Sequence, residues 1–178
     1  MSFLQNPIAK ISLRNGAIAG VLGFAILLAL YAIGKHPMLF QLFFDFRIIL
    51  FGVFLSLTVK EIRDNYQKGI IYFWQGMIAC LTFTIVFAFI TSGLIWACCL
   101  VYKPFLSTYI VLAIEQMKAI PSDAIQQIGK EVYESNLKAL PATNGYNLAK
   151  HYFWQSFVIS FFISIIISVT LRRQPKNE

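Results

Sequence analysis

Charged residues cut this chain into long apolar stretches. Asn15 to Gly34 is uncharged for 20 residues, Gly69 to Tyr102 for 34, and Tyr152 to Leu171 for 20. A helix rises ~1.5 Å per residue and needs about 20 residues to cross a hydrocarbon core of about 30 Å. Each stretch therefore predicts a membrane-spanning helix. The longest would reach ~50 Å if wholly helical, so it is expected to tilt or protrude, with Gly93 and Pro104 as candidate end points. A further helix is expected from Pro37 to Val59, because proline is tolerated in a first turn whose N–H groups lack partners anyway. It carries Asp45 and Arg47 and stops before Lys60. The pattern predicts one all-α membrane domain over residues 1–178, a bundle of four transmembrane helices at about 15–34, 37–59, 70–102 and 152–171.

Residues 103–151 read differently. They hold five Lys and four acids, Glu115, Asp123, Glu131 and Glu134. A helix is expected over 105–119, and a second from Pro121-Ser122-Asp123, with Asp123 as cap and Gln126 three residues on. Ile125, Ile128, Val132 and Leu137 would form its apolar face. Pro141 and Asn144-Gly145 mark a turn. This segment is expected to be an extramembrane helical insertion between the third and fourth spans.

Small residues recur every fourth position inside the apolar stretches. Gly76, Cys80, Thr84, Ala88 and Ser92 form one row, and Ser156, Ser160, Ser164 and Ser168 another. Each row follows the same motif, Tyr72-Phe73-Trp74-Gln75 and Tyr152-Phe153-Trp154-Gln155. Gly16-x-x-x-Gly20 adds a third small-residue face in the first helix. Small residues let neighbouring helices approach closely, so all three rows are expected to be packing faces. Trp74 and Trp154 are expected at the headgroup level. The repeat is one helix long and has no internal proline, unlike the multi-helix inverted repeats of transporters.

Composition supports a membrane setting. The chain is 58% hydrophobic and 13% charged, where soluble domains carry about 25% charged residues. The net charge of +7 is scattered between apolar runs, so it speaks for topology and anionic headgroups, not for nucleic acid. Eight basic residues fall in three short segments: Lys10 and Arg14; Lys60, Arg63 and Lys68; Arg172, Arg173 and Lys176. Short-loop Lys/Arg bias sets orientation. It places both termini in the cytoplasm and residues 103–151 on the periplasmic or extracellular side. The first stretch is longer than the apolar core of about 7–15 residues in a signal peptide, and is read as a retained helix.

Candidate chemistry is sparse. Charged residues inside a span are functional candidates by default, since each costs about 2.5–3.5 kcal/mol at a helix centre. Asp45 and Arg47 qualify, although Asp45 would lie only ~9 Å from the outer end. They are read as a structural ion pair or a tether to the 103–151 segment, with a ligand or proton site as the alternative. On a regular helix they stand ~200° apart, so they are not expected to pair with each other. Gln75 and Gln155 could complete a polar lining. Glu61 and Asp64 share a turn with Lys60, Arg63 and Lys68, and are read as salt-bridged; Asp64 and Lys68 have i,i+4 spacing, with Gly69 as a C-cap. Cys80, Cys98 and Cys99 are read as small buried hydrophobes, and His36 and His151 flank the spans. There is no G-x-x-x-x-G-K, H-E-x-x-H or G-x-S-x-G. No catalytic residue, metal or cofactor is expected.

Lys60-x-x-Arg63-Asp64, then Gly69, then Phe73-x-Gln75-Gly76, resembles an uncharacterised family of membrane proteins from Bacteroidetes, domain of unknown function 4199. Arg14-Asn15-Gly16 resembles the basic-x-Gly start of that family's first helix; Ile62 stands where it usually has a tyrosine-like residue. The resemblance implies about four spans, a longer segment between the third and fourth, and a bacterial inner-membrane location. It implies no activity. The sequence as a whole is read as a non-enzymatic accessory or scaffold subunit of a cell-envelope complex, in contact with the bilayer and with another membrane protein or a second copy. The alternative is a small transporter or lipid- or ligand-binding membrane protein using Asp45 and Arg47.

Overall fold

The computed structural model describes residues 6–40 and 45–174. Seven α-helices follow one another among them: α1 (Pro7–Ala32), α2 (Phe46–Tyr66), α3 (Phe73–Val101), α4 (Lys103–Lys118), α5 (Ser122–Ile128), α6 (Lys130–Ala139) and α7 (Gly145–Leu171). Short 3₁₀ turns lie at Pro37–Leu39 and Leu140–Ala142. Three helices are long and apolar enough to cross a membrane: α1, α3 and α7.

The second helix is shorter than Pro37–Val59 predicts at its start. Pro37 opens a 3₁₀ turn, and α2 begins only at Phe46, capped by the Asp45 side chain. Residues 41–44 of the expected span lie outside the described residues, as does Lys176. Its uncharged part, Ile48 to Val59, is 12 residues, or ~18 Å at the helical rise. The last helix starts earlier than expected, at Gly145, with Asn144 accepting a hydrogen bond from Asn147 N at 2.8 Å. Residues 145–151 therefore belong to α7. The second helical patch expected between residues 103 and 151 is two helices. Gly129 (φ +95°) separates α5 from α6, a backbone that residues with a side chain rarely adopt. Pro121, not Asp123, holds the cap position of α5.

Helix α3 is the centre of the packing. Its close neighbours are α7 on one side and α1 on the other, while α2 lies against α7 and α1. The α3–α7 seam is antiparallel and in one register along its length. A Cβ on Gly76 would lie 3.0 Å from Ser168 Oγ, Thr84 hydrogen-bonds Ser160, and a Cβ on Gly145 would lie 2.7 Å from Cys99 Cβ. That register sets Cys80 opposite Ser164 and Ala88 opposite Ser156. From Gly76 to Cys99 it runs for ~35 Å. The α1–α3 seam is parallel. Gly16 sits against Phe83, Gly20 against Phe87 and Ile90, and Thr91 donates to the Gly20 carbonyl at 3.0 Å. Large apolar side chains such as Ile18, Val21, Phe162 and Ile166 point outward, the inverse of a soluble protein's surface and the arrangement a lipid surrounding favours.

Candidate functional site

Two polar clusters stand at opposite ends of the helices. The first is buried. Asp45 takes an extended conformation (φ −75°, ψ 122°) just outside α2, and accepts from the Arg47 backbone N–H at 2.9 Å. Because Asp45 is not on the helix, the ~200° separation of a regular helix does not apply. The two side chains pair: Arg47 Nε donates to Oδ1 at 2.8 Å, and Nη2 donates to Oδ2. The expectation that they would not meet is corrected by this cap geometry. Arg47 Nη1 donates to Ser156 Oγ at 2.8 Å, and the guanidinium carbon lies 4.3 Å from the Tyr152 ring centroid. An ion pair with both side chains buried survives only where hydrogen bonds replace water; here the carboxylate, the serine and the aromatic face do so.

Among the described residues, neither glutamine hydrogen-bonds to this pair. Gln75 Oε1 accepts from the Tyr72 N–H at 3.0 Å and so caps the start of α3. Its neighbour Gly76 faces Ser168, 12 residues along α7 from Ser156 and hence ~18 Å away. Gln155 is half-buried on α7 beside Ser156. Five of the hollows among the described residues, of about 230 to 470 Å³, are lined by residues other than Asp45, Arg47, Gln75 and Gln155.

The second cluster joins the other ends of α1, α2 and α7. Arg14 donates to both oxygens of Glu61, at 2.7 and 2.6 Å. Asn15 donates to Thr58 at 3.1 Å and to Glu61 at 3.4 Å. Arg63 is buried, donates to both oxygens of Asp64 at 2.6 and 3.1 Å, and reaches the Leu171 carbonyl at 3.4 Å. A guanidinium suits this place, since the last carbonyls of a helix carry its negative end. Hydrogen bonding from Arg63, more than the charges of Arg63, Arg173 and Lys60, holds the Asp64 carboxyl below its ordinary 3.8. Asp64 thus pairs with its neighbour and not with Lys68, because α2 ends at Tyr66 and Lys68 (φ 52°) and Gly69 (φ +82°) turn away through left-handed backbone. Gly69 N–H returns to the Arg63 carbonyl at 2.9 Å. Beyond it Ile71 and Arg173 exchange two backbone hydrogen bonds of 3.0 Å. The α2–α3 turn is thereby tied to the end of α7. A hollow of about 340 Å³, lined by Asn15, Lys60, Glu61 and Asp64 among others, opens here.

The family model described as "Protein of unknown function (DUF4199)" matches residues 14–173. The chain belongs to this family. The matched stretch includes both clusters, from Arg14 to Arg173. No curated protein and no solved structure matches the chain.

Several contacts of this DUF4199 chain were not foreseen from its sequence. Asn15 and Thr58 lie within apolar runs, and only their hydrogen bond reveals them as partners. His36 is buried between Tyr31, Phe105 and Tyr109, its Nε2 donating to the Phe105 carbonyl at 3.1 Å. Its Nδ1 has no partner among the described residues. Burial pushes its pKa below 6.5, against the opposing effect of the Phe105 hydrogen bond. Of the small-residue rows, Ser156, Ser160, Ser164, Ser168, Cys80, Thr84 and Ala88 are buried, and Ser92 is only half-buried at the edge of a hollow. Cys98 and Cys99 are free thiols. No group of three metal-ligating side chains occurs among the described residues.

Proposed function

We propose that the chain is a non-enzymatic, four-span inner-membrane protein that serves as an accessory or scaffold subunit of a cell-envelope complex. The observation that carries this reading is the state of α5 and α6. Neither helix buries a residue, and Ile128 and Val132 on their apolar side are each 51% exposed. An amphipathic face left without a partner in its own chain marks a contact surface. The helices beneath are close-packed, and Arg14, Asp45, Arg47, Glu61, Arg63 and Asp64 are engaged with one another in ion pairs. Glu61 and Asp64 each hold a guanidinium, which is the state of an anchor, not of a proton-transfer pair.

In this reading α2 is the fourth span. Arg47 and Arg63 stand 16 residues apart at its two ends, ~24 Å along the axis, and each is paired with a carboxylate. Both termini lie in the cytoplasm, and residues 103 to 144 form the periplasmic insertion.

The test is purification of the full chain from native membranes in mild detergent. Recovery of one stoichiometric partner protein, lost when Ile128→Ser and Val132→Ser are combined, is the expected result. A clean monomer or homodimer overturns the subunit reading.

A further inference from the structure

Two hollows of about 470 Å³ each abut on the outside of the α3–α7 seam, sharing Trp96 and Tyr146 as walls. Ligand sites typically occupy about 300–1,000 Å³. The deeper hollow lies between α3 and α7, with Phe89 and Phe153 at its far end. A side chain on Gly93 would meet nothing within 4 Å, so the glycine leaves its wall open. The outer hollow continues past Gly145 to Lys103 and Leu106 at the start of α4. From Phe89 to Lys103 is 14 residues, so the groove is ~21 Å long. That is somewhat more than one leaflet of a hydrocarbon core of about 30 Å.

The groove is apolar along its length and basic where charge occurs. Lys150 lines the deeper hollow and Lys103 the outer one, with no acid among the lining residues and no ion pair to either lysine among the described residues. The start of α7, at Gly145, adds the positive end of a 27-residue helix to the same wall. Both lysines are exposed, so their stems line the apolar hollow while their ammonium groups reach its rim, where an anionic headgroup would lie. Acyl chain and anion together are the chemistry of one ligand. We infer that this groove binds an anionic phospholipid, with an acyl chain along Phe89, Gly93, Trp96 and Phe153 and the phosphate held by Lys150 and Lys103. The inference needs the chain to sit in a bilayer, but neither a particular orientation nor the subunit role above.

Trp96 reports on the groove directly. The full-length Trp74→Phe, Trp154→Phe protein retains it as the only tryptophan. It is reconstituted in phosphatidylcholine vesicles in which a tenth of the lipid is brominated on its acyl chains, either phosphatidylglycerol or phosphatidylcholine. The expected result is quenching of Trp96 at least twofold stronger with brominated phosphatidylglycerol. Adding Lys103→Gln and Lys150→Gln should remove that excess and leave quenching by brominated phosphatidylcholine unchanged. Gly93→Leu should reduce the excess by filling the hollow. Equal quenching by the two lipids, or an excess that survives loss of both lysines, overturns the proposal. Absence of quenching by either lipid overturns it too, because protein then covers the groove. Competition by millimolar inorganic phosphate as effective as competition by unlabelled phosphatidylglycerol would make it a free-anion site and would equally reject a lipid site.

Discussion

At the scale of single residues, the buried Asp45–Arg47 pair carries the largest local electrostatic cost. Removing one partner of such a pair strands a charge and typically costs about 3–5 kcal/mol. Asp45→Asn should therefore lower the thermal unfolding temperature in detergent sharply. Asp45→Asn combined with Arg47→Met should recover much of the loss; normal folding of the single variant would point instead to a functional carboxylate. His36 has a different signature. Its folded pKa lies below the ordinary 6.5, so the unfolded chain takes up the proton first as pH falls. Its stabilising contribution is complete above about pH 6.5 and is lost as pH drops below that towards the depressed value. Lys35 and Glu115 line the same hollow. Unfolding measured between pH 5 and 8 (roughly the range in which histidine titrates) should show this slope, and His36→Phe should flatten it.

At the scale of elements, the two seams of α3 differ in what they tolerate. A Cβ at Gly16 would lie 2.7 Å from the Phe83 carbonyl oxygen, a backbone atom that cannot swing aside. At Gly52 a Cβ meets nothing within 4 Å. Gly16→Ala should destabilise by about 1–3 kcal/mol, as overpacking does, and Gly52→Ala should be neutral or stabilise by up to about 1 kcal/mol through helix propensity. Ala88→Leu and Ser164→Leu should behave like Gly16→Ala; unchanged detergent stability of both would contradict the close α3–α7 register. These faces were readable beforehand because a four-residue repeat of small side chains has few uses inside a helix. The start of α2 was not. Whether Asp45 lies on the helix or caps it depends on the path from Pro37, and local pattern gave proline and aspartate compatible places in either arrangement. The same ambiguity hid the Arg47 pairing, since moving the helix start from Pro37 to Phe46 changes which side chains can meet. The Arg14–Glu61 and Asn15–Thr58 contacts join residues more than 40 positions apart, and nothing in their spacing announces them.

At the scale of the whole molecule, the proposed orientation has a direct consequence for accessibility. After replacement of Cys80, Cys98 and Cys99 by alanine, an Asp123→Cys variant should react with a membrane-impermeant maleimide on intact cells. A Lys68→Cys variant should react only after permeabilisation, and the opposite pattern would invert the topology. Arg63 and the Ile71–Arg173 bridge hold three helices together at the Lys68 end. Arg63→Ala should therefore raise hydrogen exchange at Ile71 and in the last turn of α7, while leaving the Thr84–Ser160 level protected.

The α3–α7 register also sets an order of assembly. Gly76 and its facing Ser168 are 92 residues apart in the chain. A ribosome adding about 5–20 residues per second takes roughly 5–18 s to cover that interval. Once made, α3 can dock on α1, whose glycines are already in place, while its other side has only lipid or a chaperone for company until α7 follows. The serine row of α7 then arrives last and closes a seam that has been waiting. A nascent chain stalled between α3 and α7 would hold a half-covered α3, a ready signal by which membrane quality control could tell an unfinished copy from a complete one.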